Sequence, residues 1–541
     1  MKKESMKMHI NEAKARLYSL HAWKLPKEPS SLAPPGVPSS KDSDPIPPGL
    51  QTWNGLDFVN YWFSDLVNIT SWTIGTAPLL VGLSTVDAIL IVMLSGICNG
   101  LPTVLNGYVG SDYHIPSPIA VRSSFGYYFG NFPVFSRAVL SAVWFGVNCY
   151  YGLFAMTEAR FFLPNITNHL PESAGISTQQ MVSFFLFTSL HIPFMIIRVQ
   201  RLKAISGQNY IDYPTMTAWI CVKAGDVQGI FNQSAKLSGK AHKWLWLATF
   251  SSTTNSWLTS AVNMSDYSRF AKTKSRGQWY QALAIPVIKT VYAVLGLAVV
   301  GAGRVLYEED ISSPVEMLPY WGHTGGGRLL AFLCAILWMV AQISCDISAN
   351  SIPFGHDVMS FISAWMTIRR GSLLCLLVGA WVMVPWLIVN SASKFLSFMS
   401  AYGVFISPIC SIMIADYFLI RRRKLNLSDL YHPHGCYRYR GGINWRAFVM
   451  EFSFAGINLP GVVNNLAPSV VVPSGLAHLY QINWFVNTFG SFFVYWCLCT
   501  LWPPLDSLDA KILHDFVEID AGGNGKLNLV SEKEAINDSR V

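Results

Sequence analysis

Trp144 and Asn148 lie four residues apart within an apolar run, so on a helix they share a face. An indole offers a planar stacking platform, and an amide offers both a donor and an acceptor. Together they suit a flat heterocycle whose edge alternates N–H and C=O groups, although in a chain of 19 tryptophans such a residue also serves as packing or as an interfacial anchor. A second polar stripe, Gln342, Asp346 and Asn350, falls at i, i+4 and i+8 of another apolar run, with Ser344 and Cys345 beside it. A carboxylate in lipid costs about 3 kcal/mol or more unless it is paired or wet, so Asp346 is either a functional group or a structural partner for another helix. Lys289 either pairs with it or snorkels towards the membrane surface.

Two further apolar runs are interrupted. The segment 68–78 (NITSWTIGTAP) is polar and holds Gly75 and Pro78, and Ser251–Ser256 (SSTTNS) precedes Trp257. Unwound backbone at membrane depth survives only where protein or a cavity satisfies its hydrogen bonds. The other reading is that these Ser and Thr side chains bond back onto their own helices. Interruptions at matching places, in the first and sixth runs, point to a site between two broken helices.

The elements that must position these groups follow from composition. Of 541 residues, 51% are hydrophobic and 13% are charged, half the charge of a soluble domain. Apolar runs of about 20 residues recur, the length that crosses a bilayer core. The spacing predicts about twelve spans, near 64–84, 87–108, 138–158, 179–197, 207–223, 244–264, 280–302, 329–350, 372–390, 396–419, 446–464 and 482–502. The fifth is the poor fit, because Gln208, Asn209 and Asp212 are costly in lipid unless protein covers them. Residues 1–50 and 504–541 read as polar tails, the first proline-rich and extended or disordered.

Lys and Arg cluster after spans two, four, six, eight and ten, among them Arg122, Arg137, Arg269 and Arg421. All of them fall on the cytoplasmic side if both tails do. Glu308, Glu309, Asp310 and Glu316 suit the outer side, as does the Asn165-Ile166-Thr167 sequon. The net charge of +8 is spread between apolar runs, which excludes a nucleic-acid face. The ten cysteines form no CxxC pair and read as small packing residues. Most histidines lie in loops or tails, and no metal cluster, nucleophile triad or phosphate loop is visible, so neither a cofactor, a resident metal nor an enzyme activity is expected.

At these residues the chain resembles the nucleobase:cation symporter-1 family, in particular its fungal uracil, uridine, allantoin and thiamine permeases. The likeness runs from about residue 50 to 465. It is carried by NITSWTIG around Trp72, HIPSPIAVRSSFG at 114–126, WFGVN at 144–148, NMSDYSRFAK at 263–272, QISCDISANSIPFGHD at 342–357, IADYFLIRRRKLNLSDLY at 414–431 and GGINWRA at 441–447.

The resemblance implies an all-α polytopic membrane protein with a LeuT-type 5+5 inverted repeat. The first repeat would cover 51–223 and the second 224–424, with two further helices in 425–503. It implies that Trp144 and Trp257 sandwich the ring, that Asn148 (where the family often has Gln) and Asn350 read its edge, and that Asn68 and Ser256 line the breaks. The sodium site of bacterial relatives would map onto the Ala341 carbonyl, Ser344 and Cys345. A thiol is a poor ligand for sodium, and Asp346 stands where the family has Asn. Both departures favour H+ over Na+ as the coupling ion, and Asp346→Asn is then expected to abolish the pH dependence of uptake. The expected function is import of uracil or uridine through the plasma membrane. Allantoin, thiamine or nicotinamide riboside uptake, or nutrient sensing without transport, are the alternatives.

Overall fold

A computed structural model describes residues 41–159, 166–195, 212–273, 276–321, 325–389 and 391–504, with Lys24, 30–35, Val37 and Ser39. Among these, the only β-type pairings are two isolated bridges, Trp53 with Ala271 and Arg440 with Ile443; the rest of the regular structure is helical.

The chain begins with α1 (Gly55–Leu66), whose N-terminus is closed by a capping box between Asn54 and Asp57. After a step at Val67 and Asn68 comes α2 (Ile69–Leu80). Then follow α3 (Thr85–Tyr113), α4 (Asn131–Glu158), α5 (Thr178–Met195) and α6 (Asp212–Ala224). The second interrupted rod is α7 (Gly239–Asn255) and α8 (Leu258–Val262). Next come α9 (Arg276–Tyr307) and α10 (Gly325–Cys345), which passes through a wide π turn at Asp346–Ser351 into α11 (Ile352–Phe361). The last elements are α12 (Ile368–Leu376), α13 (Ala392–Ala415), α14 (Trp445–Leu466) and α15 (Ser491–Leu501).

Six stretches among the described residues are long and apolar enough to cross a membrane: Thr85–Tyr113, Asn131–Glu158, Gly277–Tyr307, Gly325–Phe361, Ala392–Ile420 and Asn483–Leu501. Their outward faces stay apolar, as Leu90, Leu94, Ile97 and Leu101 on α3 show; such a stripe needs lipid to cover it.

The helices pack in two groups. In one, α9 lies along α1, α2 and α3, and α7 and α8 lean on α3. In the other, α4 lies against α5, α10 and α11, and α11 crosses α12. That crossing is possible because two glycines meet there: a Cβ on Gly371 would lie 2.5 Å from the Cα of Gly355.

The boundaries differ from expectation in informative ways. The polar runs at 68–78 and 251–256 are helical almost throughout, and Thr73, Thr76 and Thr254 satisfy their hydroxyls by donating to carbonyls one turn back (Ile69, Trp72 and Phe250). The interruptions are narrower, at Val67–Asn68 and Ser256–Trp257. The first rod starts at Gly55, nine residues before the expected 64, since its capped, partly polar first turns carried no hydropathy signal. The third starts at Asn131, so Arg137 is not a loop residue but a buried helical one. Part of the expected 1–50 tail is docked: Asp44 accepts from Ser31 at 2.8 Å, Tyr431 donates to the Ser43 carbonyl at 2.7 Å, and Ile46 N–H donates to the His114 carbonyl. Gln208 and Asn209 of the fifth span, and Asn165 of the sequon, lie outside the described residues.

Candidate functional site

The two steps face one another across a narrow cleft. Its wall includes Asn68 and Thr70 from the first step, Ser256 and Trp257 from the second, Trp144 and Asn148 from α4, and Cys345 and Asn350 near the π turn. All six residues expected to bind substrate therefore line one cavity. Of the four expected at the cation site, only Cys345 does; Ala341, Ser344 and Asp346 lie behind it, buried.

Each step is held by its own side chains. Asn68 caps α2 by accepting the Ser71 N–H at 2.9 Å, and its amide nitrogen donates to the Asp65 carbonyl at 2.6 Å. Its amide thus holds the turn while its edge meets the cavity. Ser256 donates back to the Thr253 carbonyl at 2.6 Å. The Trp257 indole N–H donates to Asp65 at 3.1 Å, so a carboxylate on the first rod fixes the plane of a ring on the second. Lys289 covers one face of that ring, with Nζ 4.1 Å from its centroid. The other indole, Trp144, is set edge-on to Phe395, Phe398 and Tyr402.

Behind the cavity wall runs a polar network. Asp346 is fully buried and accepts from Asn148 at 2.9 Å, from Asn350 at 3.1 Å and from the Cys149 thiol at 3.6 Å. His191 Nε2 lies 3.1 Å from its other oxygen. Lys289 is not its partner, and it does not snorkel: it is buried and donates to Ser95, Asn99 and the Thr253 carbonyl. Ser344 is hydrogen-bonded to Ser64 at 2.9 Å, and the Cys345 thiol donates to Asp65 at 3.6 Å.

Three contributors were not singled out from the sequence: His191, Asp65 and Thr70. His191 is an ionisable residue inside an apolar run, which the argument used for Asp346 would have flagged. Asp65 reads in sequence as a charge at a span boundary, and Thr70 as one of many helix hydroxyls.

About two turns along the helices from the cavity residues lies a buried charged layer. Arg137 pairs with Asp357, lies 3.8 Å from Asp266 and donates to the Pro353 carbonyl. Burial holds the Asp266 carboxyl above its ordinary pKa, against the opposing pull of Arg137 and Arg269. Trp53 N–H donates to the Phe270 carbonyl, and Lys272 N–H to the Trp53 carbonyl, tying the start of α1 to the chain beyond α8.

Known proteins are similar in sequence and in fold. The family model described as permease for cytosine/purines, uracil, thiamine, allantoin matches residues 45–487. The chain belongs to this family. The permease is 30% identical to the allantoin permease of Saccharomyces cerevisiae over 483 residues, 86% of this chain and 76% of that one. It is 28% identical to the uracil permease of the same yeast over 482 residues, again 86% and 76%. Mhp1, a nucleobase-cation-symport-1 family transporter solved in a closed conformation with bromovinylhydantoin bound, shares its fold, with a TM-score of 0.66 at 17% identity over 86% of this chain and 97% of that one. The permease is an integral membrane transporter and not an enzyme.

Proposed function

We propose that this permease imports a small planar heterocycle in symport with protons, with uracil or uridine as the first choice and allantoin the next. The observation that carries the reading is the cavity between two broken rods, walled by one indole from each side, Trp144 and Trp257. The cleft is narrow, about 40 Å³, well below the roughly 300–1,000 Å³ of ligand-filled small-molecule sites, so binding a ring requires it to widen. Asn350 gives its amide nitrogen to Asp346, which leaves its carbonyl oxygen for the cavity. Asp65 adds a carboxylate to the wall. A wall rich in acceptors suits a ring edge that presents N–H groups, as an imide or a ureide does.

In this reading the chain crosses the membrane about twelve times as a 5+5 repeat followed by two helices, with the Arg137 end towards the cytoplasm. The group of α1–α3 and α7–α9 rocks against the group of α4, α5 and α10–α12 around the cavity. A second reading, a vitamin-type permease for a cationic ring such as thiamine or nicotinamide riboside, is favoured by Asp65. That carboxylate lines the cavity and, among the described residues, has no basic side chain within ion-pair distance.

Uptake of radiolabelled uracil in transport-null cells, competed by a panel of nucleobases, nucleosides, allantoin and the two vitamins, tests these readings. Competition confined to neutral rings with N–H groups is expected. Competition only by the cationic rings moves the assignment to the second reading, and binding without accumulation makes the protein a sensor.

A further inference from the structure

The hydrogen-bond directions around Asp346 can be followed from groups that have only one possible role. The backbone N–H of Ile69, the first residue of α2, can only donate, and it points at Gln342 Oε1 at 3.1 Å. The Gln342 nitrogen therefore donates to Thr70 Oγ1 at 2.8 Å. The Thr70 hydroxyl in turn donates to Asn148 Oδ1 at 2.5 Å, and the Asn148 nitrogen donates to Asp346 Oδ1 at 2.9 Å. Asn350 supplies a second N–H to the same oxygen.

On the far side the Phe187 carbonyl can only accept, so His191 Nδ1, 3.0 Å away, carries a hydrogen. That leaves Nε2 facing Asp346 Oδ2 at 3.1 Å, with both residues fully buried. A bare imidazole nitrogen and a carboxylate oxygen are both acceptors, and in a low dielectric they repel. One proton must lie between them, whichever atom holds it. Among the described residues no lysine or arginine reaches this carboxylate; the other titratable groups around it are Cys149 on α4, Cys345 at the end of α10, Cys375 on α12 and, through Cys345, Asp65 on α1.

We propose that the Asp346–His191 pair is where the coupling proton is loaded and released, and that the chain through Asn148, Thr70 and Gln342 reports its occupancy to the step between α1 and α2. The inference rests on the symport reading above. Loading forms one N–H or O–H bond with a proton from the outer side. Release breaks that bond towards cytoplasmic water and leaves two acceptors that separate. Asn148 and Asn350, both held on Oδ1, move with the carboxylate, so the proton and the two amides at the cavity wall are linked.

The test uses the purified full chain in proteoliposomes with radiolabelled uracil and, in parallel, allantoin, where an inward gradient of one pH unit drives about tenfold accumulation. In D346N the amide nitrogen donates to Nε2 in place of the proton, which fixes the loaded arrangement. Gradient-driven accumulation is expected to vanish while exchange across the membrane stays measurable. H191Q is expected to lose the pH dependence as well, and it decides alone if D346N does not fold. Either variant, at wild-type abundance, accumulating substrate with the wild-type pH profile overturns the proposal. Should the unmodified permease take up substrate without proton entry, the symport reading fails first. Coupled uptake in wild type and in both variants sinks only the assignment to this pair.

Discussion

Trp257 lines the cavity and has two neighbours that constrain it, the Asp65 carboxylate at its N–H and Lys289 over one face. Stacking of a flat ring on an indole is worth about 1–3 kcal/mol, or roughly 5- to 150-fold in affinity. Trp257→Ala is therefore expected to raise the KM for uptake within that range at unchanged abundance. Trp257→Phe keeps a ring but loses the bond to Asp65, and an intermediate KM is expected. Saturation kinetics check both, and a wild-type KM in Trp257→Ala would remove the ring from the site. Trp144, Asn148, Asn350 and Asp346 were legible in the sequence because each is an aromatic or polar residue at helical spacing inside an apolar run. The partner of Asp346 was not. Lys289 was the charge-based candidate, and only the packing of α4, α5 and α10 shows that a histidine occupies that place instead.

At the scale of the elements, the two narrow steps are what make a midplane site. The first depends on Asn68, which satisfies the Ser71 N–H that would otherwise be left open at the start of α2. Replacing such a cap with alanine costs about 1 kcal/mol. Asn68→Ala is expected to lower the melting temperature of the detergent-solubilised permease by a few degrees, and Asn68→Asp, which keeps the capping oxygen but turns a second oxygen towards the Asp65 carbonyl, is not expected to restore it. Equal melting of all three would show that the step is held by tertiary packing alone. Polarity at 68–78 and 251–256 suggests unwinding, yet most of it is helix, and the hydroxyls find acceptors on carbonyls one turn back. Where the chain actually leaves the helix depends on which residue can cap the next rod and on what covers the gap, and hydropathy carries neither.

Across the whole molecule, buried charge is concentrated in one layer about two turns from the cavity residues. Arg137 sits between Asp357 and Asp266, all three almost fully buried. Removing one member of a buried ion pair costs about 3–5 kcal/mol, because the other charge is left uncompensated. Arg137→Met strands Asp357 and leaves Asp266 only the more distant pull of Arg269 and the Ser117 N–H, and it is expected to abolish recovery of monodisperse protein. Asp357→Asn, which leaves Arg137 its second carboxylate at Asp266, is expected to be milder. Size-exclusion profiles at equal expression check the order, and a monodisperse Arg137→Met would show that this layer adds little to stability. The sequence suggested Arg137 as one of a loop cluster; its helix begins seven residues earlier than expected, at Asn131.

Membrane class, helical architecture, the pairing of two interrupted rods and six of the residues facing the cavity follow from the linear chain, because lipid forces backbone polar groups into helices and makes polar side chains inside apolar runs conspicuous. What the chain could not specify was partnership. Whether Asp346 meets Lys289 or His191, and whether Arg137 lies in a loop or in the buried charged layer, depends on how helices far apart in sequence rotate and approach one another. That is decided by shape, such as the contact between Gly355 and Gly371, and spacing along one helix holds no record of it.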